Sequence, residues 1–389
     1  MAIKTARFLV VSILTLGALP MDSMASIDHF NIPGSTEVIL SQKSQVQQKA
    51  PGDTLTIADP TIFPYGGKYY LIGTSGDHSV SRGFKAFASK DLLHWHRVTM
   101  SNQPNYLVLD SAQSFGNKGF WAPQLLLPPG TGKNKAAPKK VLMAYTANEQ
   151  IAIAGSINGI KGPFTQKTQN TDSQTSKTGN GFTKLFTDGF KHIDPFIFTD
   201  PVTGKHYIYY VKLDKGNNIY VSELKLDQGG SIQVQKGTER PCIHATAHWE
   251  NTAGSSWPVT EGPTVLYHNG YYYLFYSAND FRNVDYAVGY ATSKSPVGPW
   301  VKSTDSPLIS RSLTGLNGTG HGDVFQDKNG QFYYVFHAHN GPQSVGPRKT
   351  FLIGFAFTQN INAGQPDKIQ MDFSSVHPLL VTKEKQWEK

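Results

Sequence analysis

The stretch "EGPTVLYHNGYYYLFYS", residues 261–277, decides the fold. Two aromatic and β-branched runs flank Asn269-Gly270, and an Asn-Gly pair between such runs is the strongest short-range sign of a tight β-hairpin. The first run begins at Gly262-Pro263, where the chain turns, and Glu261 stands directly before this turn. The stretch therefore predicts a hairpin with an acidic residue at its start.

The same pattern occurs four more times, and each copy is a motif, a β run, a turn and a second aromatic run. The copies begin with "DPTIF" (59–63), "WAPQLL" (121–126), "DPFIF" (194–198), "EGPTVL" (261–266) and "HGDVF" (321–325). Further short β runs follow most hairpins, and such nearly even repetition is typical of radial arrays. We therefore predict an all-β fold, a five-bladed β-propeller with four-stranded blades around a central channel. A pair of β-sandwiches would not explain the constant motif order.

The first fifty residues do not share the repeat. Lys4 and Arg7 precede an apolar run at 8–19, and Ser23-Met24-Ala25 fits a small-x-small cleavage site. We expect residues 1–25 to be a signal peptide for export to the periplasm or the extracellular space. Residues 26–50 are predicted as a lead-in segment, and residues 51–389 as a single catalytic propeller domain that does not span a membrane.

Charge and cysteine content narrow the class of partner. The formal net charge of +8 is spread thinly, without the dense Lys/Arg runs that indicate a nucleic-acid partner. Cys242 is the single cysteine, so no internal disulfide can form. We expect a monomer whose stability comes from core packing.

The repeat predicts which side chains meet. First strands of propeller blades line the channel in one direction, so residues at the same repeat position converge at one end of it. The converging set is Asp59, Trp121, Asp194, Glu261 and His321. Each alone has a plainer explanation, since Asp-Pro commonly starts a turn and tryptophan is usually a core residue. Together they favour glycoside hydrolysis, which needs one carboxyl protonated and another ionised.

The motifs "ADPTIF" (58–63), "FWAPQ" (120–124), "HIDPFIF" (192–198), "TEGPTV" (260–265) and "GTGHGD" (318–323) resemble glycoside hydrolase family 43 in the same order. The resemblance covers about residues 55–360. It implies a five-bladed propeller with an inverting mechanism. It also implies that Asp59 is the general base, Asp194 adjusts the pKa and orientation of the acid, and Glu261 is the general acid.

The related sucrose- and fructan-cleaving enzymes share the propeller but carry Asn-Asp-Pro, Arg-Asp-Pro and Glu-Cys at these places. This chain has Ala58-Asp59-Pro60, Ile193-Asp194-Pro195 and Glu261-Gly262 instead, so family 43 is the better match.

Further residues are expected around the pocket. Phe120, Trp121, Arg282, His321 and Arg348 are predicted to contact substrate, although a solvated loop position explains Arg282 equally well. The resemblance requires no cofactor but allows a structural calcium ion in the central channel near His321.

The sequence thus predicts an exported, inverting, exo-acting glycosidase of the α-L-arabinofuranosidase or β-xylosidase type. Its partner would be an arabinose- or xylose-containing plant polysaccharide or oligosaccharide. The alternatives are an endo-1,5-α-L-arabinanase or a galactose-releasing exo-enzyme of the same family. A non-catalytic carbohydrate-binding propeller and a protein-interaction propeller are alternatives of another class.

Overall fold

Five β-sheets follow one another along the chain, and the first strand of each begins at or just before one of the five motifs. The computed structural model describes residues 53–75, 82–100, 103, 105–129, 139–166, 182–229, 231–362 and 364–382. The predicted signal peptide and lead-in segment lie outside these ranges. We number the sheets as blades 1 to 5, and the prediction of a five-bladed β-propeller is confirmed.

Blades 1 and 2 occupy the first half of the described chain. The strands of this part are β1 (Asp53–Thr54), β2 (Ile57–Tyr65), β3 (Lys68–Ser75), β4 (Gly83–Phe84), β5 (Ala86–Ser89), β6 (His94–Arg97), β7 (Leu109–Asp110), β8 (Trp121–Leu126), β9 (Val141–Ala147) and β10 (Gln150–Ser156). Blade 1 is built on β2, β3, β5 and β6, while β4 and β7 form a small separate ladder. Blade 2 has three described strands, β8 to β10, and a bridge between Gly155 and Thr165 at its outer edge.

Blades 3 to 5 complete the ring. Their strands are β11 (Lys191–Thr199), β12 (His206–Leu213), β13 (Asn217–Leu226), β14 (Ile232–Val234), β15 (Arg240–Ile243), β16 (Thr260–His268), β17 (Tyr271–Ala278), β18 (Ala287–Ser293), β19 (Val301–Lys302), β20 (Gly320–Gln326), β21 (Phe332–Ala338), β22 (Lys349–Thr358), β23 (Lys368–Pro378) and β24 (Leu380–Val381). Blades 4 and 5 have the predicted four strands, whereas both β14 and β15 pair with β13 in blade 3. A short helix, α1 (Arg311–Thr314), precedes blade 5, and 3₁₀ turns lie at Ser111–Gln113, Gly159–Lys161 and His248–Glu250.

The core is divided among the interfaces between blades. Five apolar clusters each join one pair of adjacent blades, including blades 5 and 1. In β17, Tyr272 and Leu274 pack toward blade 3, while Tyr273 and Phe275 pack toward blade 5. Because successive side chains of a strand point to opposite faces, a strand buried on both sides reads as a continuous apolar run. This explains the aromatic hairpin "YYYLFYS".

The last described strand closes the ring. β24 pairs in parallel with β6, and β1 pairs with β24, so both ends of the propeller add to the outer edge of blade 1. The Leu55 amide also donates to the Leu379 carbonyl, and the Thr350 amide donates to Leu55. These bonds join blade 5 to blade 1.

A β-bulge interrupts every first strand at the same point. The register shifts lie between Ala58 and Thr61, Trp121 and Gln124, Ile193 and Phe196, Glu261 and Thr264, and Gly320 and Asp323. The first bulge residue is left-handed in each blade, with φ of 47° at Asp59, 42° at Ala122, 55° at Asp194, 59° at Gly262 and 37° at His321. A non-glycine residue in such a conformation costs about 1–3 kcal/mol and persists only where its surroundings hold it.

The bulges correct the predicted alignment of the repeats by one residue in two blades. The residues equivalent to Asp59 are Ala122 in blade 2 and Gly262 in blade 4. Trp121 and Glu261 stand one position earlier, level with Ala58 in blade 1. Alignment on the proline that follows the bulge residue in four blades reveals this register.

A ring of inter-blade hydrogen bonds holds the bulges. The amide of each first bulge residue donates to the blade before it, and in four cases the acceptor lies at one repeated position of the second strand. These bonds are Ala122 to Thr74 Oγ1 (3.1 Å), Asp194 to Thr146 Oγ1 (2.9 Å), His321 to Ser277 Oγ (2.7 Å) and Asp59 to His337 Nδ1 (3.1 Å). The equivalent position in blade 3 is Val211, which has no acceptor. There the Gly262 amide donates to Asp194 Oδ2 instead, at 3.3 Å.

Candidate active site

Three carboxyl groups lie buried at the bulged ends of the first strands of blades 1, 3 and 4. Asp59, Asp194 and Glu261 are 8%, 5% and 9% exposed. The two aspartates are first bulge residues, so their short side chains leave the backbone at equivalent points. Glu261 starts one residue earlier and has a longer side chain, which gives it a separate set of partners.

Asp59 is held as an anion. Its Oδ1 accepts from Arg348 Nη1 at 3.0 Å and its Oδ2 accepts from Thr74 Oγ1 at 2.5 Å. His321 Nδ1 and His337 Nδ1 each lie 3.4 Å from Oδ1. Burial alone would raise the pKa of Asp59, but Arg348, the two imidazoles and the Thr74 hydroxyl outweigh it. They hold the pKa of Asp59 well below its ordinary value.

Asp194 has few partners that favour its charged form. Besides the Gly262 amide, it has His321 Nδ1 at 3.8 Å from Oδ2. Burial raises the pKa of Asp194 well above its ordinary value, and the neighbouring Glu261 and Asp59 raise it further. Because the three carboxyls lie close together, they cannot all ionise at neutral pH.

Glu261 is buried between two donors from blades 3 and 4. Tyr286 donates its hydroxyl to Oε1 at 2.9 Å, and Asn217 donates its Nδ2 to Oε2 at 3.0 Å. Burial raises the pKa of Glu261 to about 7 with the help of Asp59, although Tyr286 and Asn217 act in the opposite direction. A carboxyl group with this pKa is protonated in a large fraction of molecules near neutral pH, as a general acid requires.

His321 lies between the two aspartates, and Gly262 makes room for it. A Cβ on Gly262 would stand 2.7 Å from His321 Cδ2, and φ at Gly262 is also in the left-handed region. Glycine is therefore required at this bulge for two reasons. This explains why blade 4 carries its acid one position before the bulge.

The central channel below the bulges is narrow. Asp323 accepts from Thr61 Oγ1 at 2.5 Å and from Thr264 Oγ1 at 2.6 Å, which joins blades 1, 4 and 5. A cavity of about 30 Å³ is lined by these bulges and by Asp323. That volume holds about one water molecule or ion.

The polar side chains around this cavity determine which ligands the expected calcium ion could have. His321 is the one imidazole in its lining, and both oxygens of Asp323 already accept from hydroxyls. The side-chain amide of Gln124 donates to the Ile197 carbonyl and accepts from the Ile197 backbone amide. Calcium takes six to eight oxygen ligands, so an ion here would depend on water. Calcium near His321 remains a prediction.

A second cluster of metal-ligand types lies between blades 2 and 3. Ligand atoms of Asp188, His192 and Glu239 lie within 4.8 Å of one another. Lys212 Nζ stands 2.9 Å from Glu239 Oε1 and 4.0 Å from Asp188 Oδ2. An ammonium group therefore already supplies the positive charge that these carboxylates attract.

Three further residues that were predicted to contact substrate are Arg348, His321 and Trp121. Arg348 and His321 lie among the carboxyls, and the Arg348 guanidinium also stacks 4.7 Å from the ring centre of Phe281. Trp121 is partly exposed and packs beside the cluster between blades 3 and 4.

Two expected contacts do not reach the carboxyls. Phe120 is fully buried between blades 1 and 2, stacked on Tyr145, so it offers a substrate no surface. The structure thus corrects its assignment to substrate binding. The side chain of Arg282 is 71% exposed and forms a two-point ion pair with Asp280, in agreement with the solvated loop alternative.

Three direct partners of the base and the acid were not predicted from the sequence, namely Thr74, Asn217 and Tyr286. Thr74 lies at a repeated position that also holds Thr146 and Ser277, so extending the alignment into the second strands would have found it. Asn217 and Tyr286 stand at a second repeated position, two residues before the third-strand partners of Val211 and Ser277, where blade 5 has Arg348. The residue types at this position differ from blade to blade, so the sequence alone gives no sign of them.

Known proteins share the sequence pattern and the fold of this chain. The sequence model of the family described as glycosyl hydrolases family 43 matches residues 51–360. Two solved structures share the fold at appreciable identity. A structure described as an endo-1,4-β-xylanase from Bacteroides thetaiotaomicron is 34% identical, with a TM-score of 0.69 over 86% of this chain and 99% of its own. A thermostable family-43 glycoside hydrolase is 29% identical, with a TM-score of 0.65 over 87% and 99%.

More distant relatives have several named activities. A β-D-galactofuranosidase from Aspergillus niger is 25% identical over 72% of this chain and 73% of its own length. An extracellular endo-α-(1→5)-L-arabinanase from Thermotoga petrophila is 27% identical over 66% of this chain and 54% of its own length. The chain thus spans about half of the latter relative.

Proposed function

Because the chain belongs to glycosyl hydrolase family 43 and is therefore a glycosidase, we propose that it is an exported, inverting enzyme that acts on arabinose- or xylose-containing plant polysaccharides and oligosaccharides. We further propose exo action, the release of sugars from chain ends. The general base would be Asp59 and the general acid Glu261.

The observation that carries the proposal is the opposite environment of these two carboxyls. Arg348 and Thr74 favour the charged form of Asp59, whereas burial raises the pKa of Glu261 to about 7. Inverting glycosidases need one carboxylate to activate water and one carboxylic acid to protonate the leaving oxygen. These environments supply both states at the same pH.

The reaction would proceed in one displacement. Asp59 takes a proton from a water molecule, and the oxygen of that water attacks the anomeric carbon. The bond to the leaving oxygen breaks, and Glu261 gives that oxygen its proton. Asp194 and Glu261 repel each other when both are ionised, so the pair would keep at least one proton near neutral pH, and Asp194 also accepts from the Gly262 amide.

The names of the relatives support a pentose-containing substrate. They include a xylan 1,3-β-xylosidase from a Vibrio species and a non-reducing end α-L-arabinofuranosidase from Bacteroides ovatus. Release of galactofuranose is the activity named for the Aspergillus niger relative and is an outcome that the assay below can detect.

A second candidate is endo action on a polysaccharide backbone. The solved structure that is 34% identical to this chain is described as an endo-1,4-β-xylanase. The arabinanase from Thermotoga petrophila is also named as an endo enzyme. An endo enzyme needs a groove open at both ends. Product length distinguishes the two modes.

Export rests on the charged and apolar segments at the start of the chain, together with the cleavage pattern that ends at Ala25. Expression in a bacterial host followed by cell fractionation tests it. We expect the mature protein outside the cytoplasm, with an N-terminus at Ser26. Retention of residues 1–25 on a cytoplasmic protein would contradict this part of the proposal.

A panel of substrates tests the activity. It consists of 4-nitrophenyl α-L-arabinofuranoside, β-D-xyloside and β-D-galactofuranoside, with linear arabinan and xylan. We expect release of arabinose or xylose as single sugars. Oligosaccharide products from arabinan or xylan would favour the endo candidate, and binding of all of them without hydrolysis would favour the non-catalytic alternative.

A further inference from the structure

An exposed tryptophan stands behind the proposed acid. Trp257 is 46% exposed, and its indole Nε1 donates to Asn217 Oδ1 at 3.0 Å. The Nδ2 of the same Asn217 amide donates to Glu261 Oε2. A single amide group therefore joins a surface aromatic ring to the acid.

The direction of this chain of hydrogen bonds is fixed by chemistry. An indole N–H can only donate, so the Asn217 side chain must present its oxygen to Trp257. Its amino group then faces Glu261. The opposite orientation would bring two donors together at Trp257.

The backbone makes the arrangement rigid. The Asn217 amide donates to the Pro258 carbonyl at 2.9 Å, and Thr260 Oγ1 donates to the Asn217 carbonyl at 3.0 Å. The backbone N–H and C=O of Asn217 and both polar atoms of its side-chain amide are thus hydrogen-bonded. The loop that carries Trp257 is itself tied at Ser255, whose amide donates to Asn251 Oδ1.

We propose that Trp257 is a positioning residue that orients Asn217 toward the acid, and that its exposed ring forms a platform for the leaving-group sugar of the substrate. Flat aromatic faces are apolar and suit the face of a sugar ring. A sugar bound on the Trp257 ring would contact the same side chain that orients Asn217 toward Glu261. Binding of the leaving-group sugar and its protonation by Glu261 are therefore linked. This inference rests on the proposed role of Glu261 as general acid.

The substitution Trp257→Phe separates the positioning role of Trp257 from its role as a sugar platform. It keeps an aromatic face but removes the N–H donor, so the Asn217 amide is free to turn and its bond to Glu261 weakens. That bond lowers the pKa of Glu261. We therefore expect the alkaline limb of the pH profile to move to higher pH, and kcat/KM on an oligosaccharide to fall roughly tenfold.

A substrate whose leaving group needs no proton shows whether the loss of activity comes from the acid. A 2,4-dinitrophenyl glycoside has a leaving group that departs as an anion, so its hydrolysis by Trp257→Phe should stay within about twofold of the unchanged enzyme. Trp257→Leu removes the platform as well and should in addition raise KM for oligosaccharides. Phe190→Leu, an exposed aromatic position that stacks on Lys212 instead, is the matched control and should change neither quantity.

The outcomes separate this proposal from the proposed function. A pH profile of Trp257→Phe that superimposes on that of the unchanged enzyme would overturn the positioning role, as would equal losses on both substrates. If Glu261 is not the acid, Glu261→Gln would retain full activity on oligosaccharides. That result would overturn both proposals, whereas the first result leaves the proposed function standing.

Discussion

The three carboxyls show how one functional group takes different properties from its contacts. Asp59 and Glu261 are almost equally buried, yet Asp59 faces Arg348 and Glu261 faces two neutral donors. A sequence motif can identify these residues but cannot say which will be charged. That difference comes chiefly from the cation of Arg348, which is distant from Asp59 in the chain.

Removal of the cation beside the base should change the pH profile. The base must be ionised, so activity is lost on the acid side as pH falls through the pKa of Asp59. Arg348→Met removes the charge that lowers this pKa, and we therefore expect the acid limb of kcat/KM to move to higher pH. The alkaline limb, which follows Glu261, should stay near pH 7.

The control is Arg348→Lys, which keeps the charge but loses the flat guanidinium. It should move the acid limb less than Arg348→Met does. An unchanged acid limb in both variants would mean that Asp59 is not the titrating base.

Removal of the proton donor should depend on the leaving group. Glu261→Gln keeps the shape of the side chain but has no proton of suitable acidity. We expect kcat on an oligosaccharide to fall by about 10²–10⁴, with a much smaller loss on a 2,4-dinitrophenyl glycoside. Binding, measured by calorimetry, should persist.

Glu223→Gln, a change at a surface carboxylate paired with Lys205, serves as the control and should be fully active. Equal losses by Glu261→Gln on both substrates would argue against an acid role.

The first strands and the second strands have separate tasks. Each first strand supplies a bulge, and four of the five second strands supply the acceptor that holds the bulge of the next blade. The sequence predicts the first-strand motifs well because proline, glycine and aspartate mark the turn. It misplaced Trp121 and Glu261 by one residue because both are more conspicuous than the Ala122 and Gly262 that occupy the bulges.

Blade 3 offers a test of this ring. Val211→Thr is nearly isosteric and brings a hydroxyl to the place where the other blades have an acceptor. We expect the Gly262 amide to move from Asp194 to the new hydroxyl. Asp194 then loses its backbone donor, so kcat/KM should fall while the free energy of unfolding changes by less than about 1 kcal/mol.

Val221→Thr changes an equally buried valine on the neighbouring strand β13 and is the control. It should cost more stability, about 1–3 kcal/mol for a buried hydroxyl. If Val211→Thr destabilises as much as the control and leaves activity intact, the proposed exchange does not occur.

On the scale of the whole molecule, five interfaces of the same kind replace a single core. Repetition of the motifs made this architecture predictable from one sequence. The edges were less predictable. Blade 2 has three strands in the described ranges and blade 1 gains β1 and β24, because edge pairing depends on short segments with little pattern.

Closure of the ring by β24 should contribute to stability. Removal of residues 380–389 deletes its pairing with both β1 and β6. We expect Tm to fall by at least about 2–4 °C, which corresponds to roughly 1 kcal/mol for a domain of this class. Removal of residues 383–389 alone retains β24 and is the control. Equal Tm values for the two truncated proteins would show that β24 does not help to close the propeller.

The stereochemistry of hydrolysis tests the central claim most directly. Proton NMR of the first sugar released from the best aryl glycoside of the panel shows its anomeric configuration before mutarotation. If Asp59 activates water for a single displacement, the first product has the configuration opposite to that of the substrate. A first product with the same configuration would show a double displacement through a glycosyl-enzyme intermediate and would contradict the roles proposed for Asp59 and Glu261.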